Sequence, residues 1–468
     1  FGGFGIRNNA TISGNSVIEP RLSFNYAFNT KYKTQLRGGI GVSETVVPGV
    51  WLSNPYTNNG VTLTSATSKS GMFNPNPYTQ QLPKGTPPTP EVDVTDPNFK
   101  LPTALKASLG FDRELPWGFL FSADYIHLQT LNGLLYQNLN YGTPTGKMPD
   151  GRTSYWNPTA TTKCNNGKSG KPYTIAGCLQ NPNFYNVVYL TNTNQGSADY
   201  LSLMVSKPFN NSLSGRFGIV LGRSTEVNPG TSSQAASNLN NNAVFNGNEN
   251  VASRSIYSVP KRVLASLTWQ HKFFGDYTTS VSAFYDGHTG TPYSWVFGND
   301  ASGLCFGSST NCPYELVYIP RQGDVEFAPS VTAAQQQQFW NFINSNSYLR
   351  SHQGQVAARN GALSPWVNTL NLSLQQEVPG FFKGNKGSIK FDIYNFLNLL
   401  NKKWGDVYDV DFPYTRSLAN FAGVDPATGK YIYSLPTTGG NYSPGSLKLE
   451  DQRAQSRWAV QVTLRYTF

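Results

Sequence analysis

Three aspartates near the carboxyl end of the chain have residue types that could bind a metal ion. Asp406, Asp409 and Asp411 lie in the segment WGDVYDVDF, and carboxylate oxygens are ligands that calcium prefers. The spacing does not match an EF-hand loop, which needs glycine after its acidic positions and a later glutamate. A solvated acidic loop is therefore the preferred interpretation, with calcium left open. Apart from that open question, we expect no metal site and no cofactor.

The four cysteines form two close pairs in the sequence, Cys164 with Cys178 and Cys305 with Cys312. Neither pair has the CxxC spacing and the four histidines are dispersed, so the sequence does not indicate a zinc site. Each pair is separated by a short stretch of polar sequence. We therefore expect two local disulfides, formed in an oxidising compartment.

The sequence contains no motif of a common enzyme class. The patterns GxSxG, HExxH, P-loop and GxGxxG are absent, and RGGIGVSE (37–44) lacks the third glycine at the required spacing. The scattered histidines suggest no Ser/His/Asp grouping. We therefore expect no enzyme activity.

Three tryptophans in polar segments are candidate ligand-binding residues. Trp51, Trp156 and Trp295 lie in stretches rich in asparagine and tyrosine. Rigid aromatic rings beside amides suit a sugar, a peptide or a cyclic chelate. A structural role without ligand contact is the alternative interpretation, as for Trp366 and Trp404, which fall close to strand ends where aromatic girdles mark the membrane interface.

The composition excludes some classes of partner. The formal net charge is +10, but Lys and Arg are scattered and form no basic stripe. The sequence therefore indicates no nucleic acid partner. Only 13% of the residues are charged and 13% are aromatic, whereas soluble proteins carry about 25% charged residues.

The last twelve residues show what kind of element must position these side chains. In RWAVQVTLRYTF (457–468), apolar residues alternate with mostly polar ones, which is typical of a strand with one apolar and one wet face. A tilted strand of about 9–11 residues spans a bilayer. An ordinary strand of a soluble β protein is the alternative for any one such segment.

The same alternation recurs along the chain and predicts eleven strands. Short connections near residues 28–32, 115–118, 208–212, 273–276 and 378–387 alternate with long ones, roughly 43–100, 129–198, 224–260, 288–366 and 398–456. This is the pattern of outer-membrane barrels, which have short periplasmic turns and long outer loops. Soluble domains rarely contain several loops beyond about 12–15 residues. The sequence therefore predicts an all-β, transmembrane antiparallel β-barrel.

The orientation follows from the loop lengths. If the short turns are periplasmic, the last strand ends at the periplasmic rim with Tyr466 and Phe468 on its apolar face. We expect these two aromatic residues to form the signal that the barrel assembly machinery recognises. Thr467 should face the lumen.

Several segments, in order, are similar to Oar-like TonB-dependent outer-membrane receptors. They are PRLSFNYAF, TQLRGGIGV, DPNFKLPTALKASLGFDRELPWG, RVLASLTWQHKF, HQGQVAARNGALSPWVNTLNLSL, FDIYNFLNLLNKKWG, DPATGKYIY and the closing strand. The resemblance covers most of the chain from about residue 19 and implies a 22-stranded barrel with an N-terminal plug. It further implies uptake of a bulky nutrient (a glycan, a peptide or a metal chelate) across the outer membrane of a Gram-negative bacterium, with outer membrane lipid and the TonB complex as partners.

By this resemblance, residues 1–468 would form the C-terminal half of the barrel. The odd number of predicted strands separately indicates an incomplete barrel, because bacterial single-chain barrels have even strand counts. We expect the signal peptide, the plug and the TonB-contact segment to be absent from this sequence. Strands 20–28 and 457–468 should each pair with a strand that this sequence lacks. A passive porin and a surface structural or adhesion protein are the alternative functions.

Overall fold

The computed structural model describes residues 3–61, 74–80, 89–156, 179–210, 212–304, 313–450 and 455–468. Its main element is an antiparallel sheet whose path, here termed the wall, runs through eleven strands in chain order. These strands are β1 (Arg21–Phe28), β2 (Thr34–Glu44), β3 (Thr103–Glu114), β4 (Leu120–Asn138), β5 (Ser197–Asn210), β6 (Leu213–Glu226), β7 (Lys261–Phe274), β8 (Tyr277–His288), β9 (Val367–Pro379), β10 (Lys386–Tyr394) and β11 (Ala459–Thr467).

Strands β5 and β6 show how the alternating sequence gives the wall two different faces. Leu201 and Leu203 of β5 lie opposite Leu221 and Ile219 of β6. Successive side chains of a strand point to opposite sides, so these residues share one side, termed the apolar face. The residues between them form the polar face.

The apolar face is exposed along the wall, from Leu22, with 73% of its surface accessible, to Leu464, with 75%. A contiguous exposed apolar surface of this kind marks contact with a partner or a membrane.

The wall is an open sheet in the described part of the chain. Among the strands of the described ranges, β1 pairs with β2 alone, and β11 pairs with β10 alone. The two outer strands are not hydrogen-bonded to each other in the described ranges. Their observed bounds lie within the predicted 20–28 and 457–468.

Short and long connections alternate along the wall. The short ones are residues 29–33, 115–119, 211–212, 275–276 and 380–385, and the long ones are 45–102, 139–196, 227–260, 289–366 and 395–458. All the long connections therefore leave from one end of the wall. In the second short turn Trp117 adopts a left-handed backbone with φ of 61°, a conformation uncommon outside glycine.

The long loops contain their own secondary structure. A second sheet has the strand order Val325–Phe327, Tyr431–Ser434, Thr415–Val424, Pro292–Phe297 and Ala362–Leu363. Strands that extend the wall or form small two-stranded sheets are Val92–Thr95, Gly146–Lys147, Thr153–Ser154, Val187–Thr193, Ser253–Arg254, Tyr318–Ile319, Gln355–Val356, Tyr408–Asp409, Thr437–Thr438, Asn441–Tyr442 and Lys448–Leu449.

The helices are short and lie in the long loops. They are α1 (Gly49–Thr57), α2 (Ala235–Asn240), α3 (Ala333–Ser345), α4 (Ser347–Ser351) and α5 (Phe396–Leu400), with 3-10 turns at Pro77–Thr79 and Pro116–Gly118. Thr332 and Gln335 form a reciprocal capping box at the start of α3, which satisfies two backbone N–H groups. None of the helices in the described ranges is long and apolar enough to cross a membrane.

The largest hydrophobic core lies among the long loops. It includes Trp295, Phe339, Ile343, Leu418 and Tyr433, all with no accessible surface. The loops therefore form a packed cap at one end of the wall.

Candidate functional site

A pocket of about 320 Å³ lies where the first three long loops leave the wall. This pocket is here termed the mouth pocket. Its lining includes residues 45–48 and Trp51 from the first loop and residues 227–229 from the third. Ligand pockets in proteins have volumes of about 300–1,000 Å³. The mouth pocket is therefore large enough for a small ligand or for one end of a larger ligand.

The mouth pocket opens on the polar face of the wall. Ala104 of β3 and Thr130 of β4 line it and lie opposite each other in the register. Each is two residues from a polar-face position, Lys106 or Leu128. Because side chains alternate along a strand, Ala104 and Thr130 point to the polar face as well. A ligand in this pocket would thus sit at the loop end of the polar face.

One buried carboxylate oxygen has no partner in the mouth pocket. Oε1 of Glu226, the last residue of β6, is shielded from solvent and has no hydrogen bond within the described residues, although the Ser255 hydroxyl, the Ile256 backbone N–H and the Arg359 guanidinium interact with the same carboxyl group. An unsatisfied buried acceptor costs about 1–3 kcal/mol, which a ligand with an N–H or O–H donor would offset. Glu226 was not predictable from sequence as a site residue, because the sequence marks it only as a polar residue that follows an alternating apolar strand.

The remaining polar groups of the pocket are amides and hydroxyls. Asn132, Gln195 and Thr130 line it together with apolar side chains, and the lining contains no lysine or arginine. The pocket therefore suits a neutral polar ligand or a cationic one better than an anion.

Trp51 is held in the pocket wall by the third long loop. Its indole Nε1 donates a hydrogen bond to the carbonyl of Ser232 at 2.7 Å, and the Asn54 amide of the same helix donates to the carbonyl of Ser233 at 3.0 Å. Gly230 has a φ of 62°, and a β-carbon there would lie 2.4 Å from the indole ring. Glycine is therefore required at this position for the ring to fit.

The other two predicted ligand-binding tryptophans lie in the core of the cap. Trp295 has no accessible surface and packs under the guanidinium of Arg416, 4.4 Å from the ring centroid. Trp156 is 6% exposed, and its Nε1 donates to the carbonyl of Ala301 at 2.9 Å. In this conformation both rings contribute to packing and neither is open to a ligand. The polar sequence around them gave no signal that the loops would form a core.

The structure does not bring the three aspartates of 406–411 together as a metal site. Asp409 accepts hydrogen bonds from the hydroxyls of Thr291 and Ser364, and Asp411 forms an ion pair with Lys448. Within the described residues no group of His, Cys, Asp and Glu could hold a metal ion.

The cysteine pairs Cys164–Cys178 and Cys305–Cys312 lie outside the described residues. Tyr466 and Phe468, the predicted assembly signal, are at the end of β11. The Tyr466 hydroxyl accepts a hydrogen bond from the backbone N–H of Phe381 at 3.2 Å, and Phe468 is almost fully exposed.

Comparison with known proteins gives one family. The model of the family described as "Outer membrane beta barrel domain" matches residues 2–406. No curated protein matches the chain. Among solved structures, the outer membrane transporter YddB from Escherichia coli is similar with a TM-score of 0.38 and 9% identity. The match covers 93% of this chain and 38% of that chain, so the chain spans well under half of that transporter.

Proposed function

The chain belongs to the outer membrane β-barrel family and is located in the outer membrane of a Gram-negative bacterium; from this premise we propose that it is part of a nutrient transporter. We infer a TonB-dependent receptor of the Oar-like kind that takes up a glycan, a peptide or a metal chelate. The observation that carries the proposal is the position of the mouth pocket at the loop end of the polar face.

The orientation follows from the connections. Outer-membrane barrels have short turns on the periplasmic side and long loops outside, so the cap and the mouth pocket lie on the cell surface. The apolar face then contacts lipid and the polar face lines the lumen. A ligand captured in the mouth pocket would already be at the entrance of the lumen.

The open edges of the wall support a larger barrel. An unpaired backbone N–H or C=O in the hydrocarbon layer costs several kcal/mol, so β1 and β11 need partners on their free sides. We propose that further strands of the same protein supply them and complete a 22-stranded barrel. A lumen of that size needs a plug, and uptake would proceed by capture, plug rearrangement driven by TonB, and passage through the barrel.

Solute depletion by living cells tests this proposal. Cells that make the full-length protein, cells that lack it, and cells that make it but lack TonB are grown in one medium containing glycans, peptides and metal chelates. We expect a set of solutes to be depleted only when the protein and TonB are both present. Equal depletion without TonB would indicate a passive porin, and surface attachment without any change in depletion would indicate an adhesion protein.

The variant Glu226→Gln then tests the role of the mouth pocket in the full-length protein. It keeps the shape of the side chain but removes the charge. We expect about a tenfold rise in the solute concentration needed for half-maximal uptake, since hydrogen bonds to charged groups contribute about 1.5–3 kcal/mol. Glu114→Gln, beside a short turn at the other end of the wall, is the control and should leave uptake unchanged.

A further inference from the structure

Four polar side chains interrupt the apolar face near the long loops, one on each of the four neighbouring strands β4 to β7. His127 of β4 lies opposite Asp199 of β5, and Asp199 lies opposite Arg223 of β6. Lys261 of β7 lies opposite Leu221, two residues from Arg223 along β6. These four residues have the strand parity of the apolar face and are termed the outward polar row.

The outward polar row lies at one boundary of the apolar band. Along β5, Asp199 is followed on the same face by Leu201, Leu203 and Val205, and then by Lys207. Eight residues of strand span about 26 Å, or about 20 Å across a membrane at the usual tilt. The apolar band of such barrels is about 25 Å tall. Asp199 and Lys207 thus mark the two headgroup levels, and the row is at the level next to the long loops.

Hydrogen bonds fix the acidic member of the row. The Tyr125 hydroxyl donates to Asp199 Oδ1 at 2.6 Å, and His127 Nδ1 lies 2.8 Å from the same oxygen. The Asp199 carboxylate therefore has partners within the protein, and it orients the His127 ring with Nε2 away from the carboxylate.

The two strongly basic members of the row make no such hydrogen bond within the described residues, although the Asp199 carboxylate lies across from Arg223 and attracts it electrostatically. Arg223 and Lys261 are both exposed, and within the described residues neither side chain forms an ion pair with an acid. Because they lie diagonally across a strand pair, both can reach one anionic group placed between them. A guanidinium offers paired N–H donors that match phosphate oxygens.

We propose that Arg223 and Lys261 bind a phosphate group of lipopolysaccharide in the outer leaflet. The long loops place this boundary on the outer side of the membrane, where that leaflet presents phosphorylated lipid. Basic residues at a headgroup level attract anionic lipid. The lipid would cover the wall at β5–β7, below the cap, and this role is independent of which solute the protein transports.

The test uses the full-length protein purified from outer membranes in a mild detergent. Lipopolysaccharide that remains bound is quantified by native mass spectrometry for the wild type, the double variant R223Q/K261Q and the control K207Q. Lys207 has the same face and charge but lies at the opposite boundary. We expect the double variant to retain about tenfold less lipopolysaccharide and K207Q to retain the wild-type amount. Equal retention by all three proteins would overturn the proposal.

Two further measurements separate loss of charge from a folding defect, and lipopolysaccharide from other sources of phosphate. R223K/K261R keeps both charges and should restore most of the bound lipopolysaccharide; if it retains as little as the double variant, charge is not the cause and the proposal is wrong. Added inorganic phosphate or phosphatidylglycerol vesicles should compete weakly with lipopolysaccharide for the wild type. Equally strong competition by either would also overturn the assignment to lipopolysaccharide.

Discussion

The indole Nε1 of Trp51 donates a hydrogen bond to the carbonyl of Ser232 at 2.7 Å, and this contact joins two segments that are 181 residues apart. Trp51 belongs to the first long loop and Ser232 to the third, so the contact closes one side of the mouth pocket. The shape of the pocket therefore depends on loops that are distant in sequence.

Replacement of Trp51 by phenylalanine should loosen the third loop without emptying the pocket wall. The variant keeps an aromatic ring and loses the N–H donor, which leaves the Ser232 carbonyl without this partner at a cost of about 1 kcal/mol. We expect faster amide hydrogen exchange in residues 229–234 of the full-length protein and weaker solute uptake. Trp404→Phe, at an exposed position, should change neither quantity; unchanged exchange in Trp51→Phe would argue against the contact.

A buried ion-pair network should control the order of the cap. The Arg152 guanidinium has no accessible surface and lies 2.7 Å from Asp150 and 3.5 Å from Glu315. It also lies between the rings of Phe245 and Phe297, 5.2 and 5.1 Å from their centroids. Arg152→Met would leave two buried carboxylates without their cation, which costs about 3–5 kcal/mol.

We expect the Arg152→Met protein to reach the membrane but to expose its loops to protease on intact cells. The heat-modifiable migration typical of a folded barrel should be unchanged, because the network is outside the wall. Lys147→Met, an exposed lysine in the same loop, is the control. Equal protease resistance of the native protein and Arg152→Met would show that the network is dispensable for cap order.

The wall was predictable from sequence because its signal is local. Alternation at Leu201, Leu203 and Val205 reports the two faces directly, and turn residues mark the ends of each strand. The cap was not predictable in the same way, since its core is assembled from segments such as residues 292–297 and 415–424, which are far apart in sequence. For that reason Trp295 resembled a ligand contact in the sequence and is a core residue in the structure.

The cap should also respond to pH through Asp93. Burial raises the pKa of Asp93 to about 7, nearby Glu91 adds to the increase, and the hydrogen bond from the Asn58 amide opposes it. The folded state therefore holds this proton more tightly than the unfolded chain does. Stability from this group is complete below about pH 4 and declines as the pH rises to about 7.

We expect the protease resistance of the cap in the native protein to fall over that pH range and Asp93→Asn to weaken the dependence. Asp96→Asn is the control, because the pKa of Asp96 is shifted in the opposite direction. Burial acts to raise the pKa of Asp96, but hydrogen bonds from the Thr191 hydroxyl and the Asn98 backbone lower it overall, so native Asp96 stabilises at higher pH. The same pH profile for both variants would contradict the assignment to Asp93.

The end of β11 should matter for assembly. Phe468 is exposed with the parity of the apolar face, whereas Thr467 lies opposite Lys386 on the polar face. A charge on the lipid side costs up to about 2–4 kcal/mol at the midplane and less near the interface, so most of the effect of Phe468→Asp should come from lost recognition by the assembly machinery. We expect a much lower membrane yield for Phe468→Asp than for Thr467→Asp; equal yields would count against the signal.

Photocrosslinking along β5 can show whether the wall has lipid on one face and the lumen on the other. A photoreactive amino acid is placed singly at residues 201 to 206 of the full-length protein in intact outer membranes, and lipid adducts are measured by mass spectrometry. We expect adducts at the apolar-face positions Leu201, Leu203 and Val205, and few or none at Ser202, Met204 and Ser206. Equal adducts at all six positions, or adducts mainly at the polar-face positions, would contradict this arrangement.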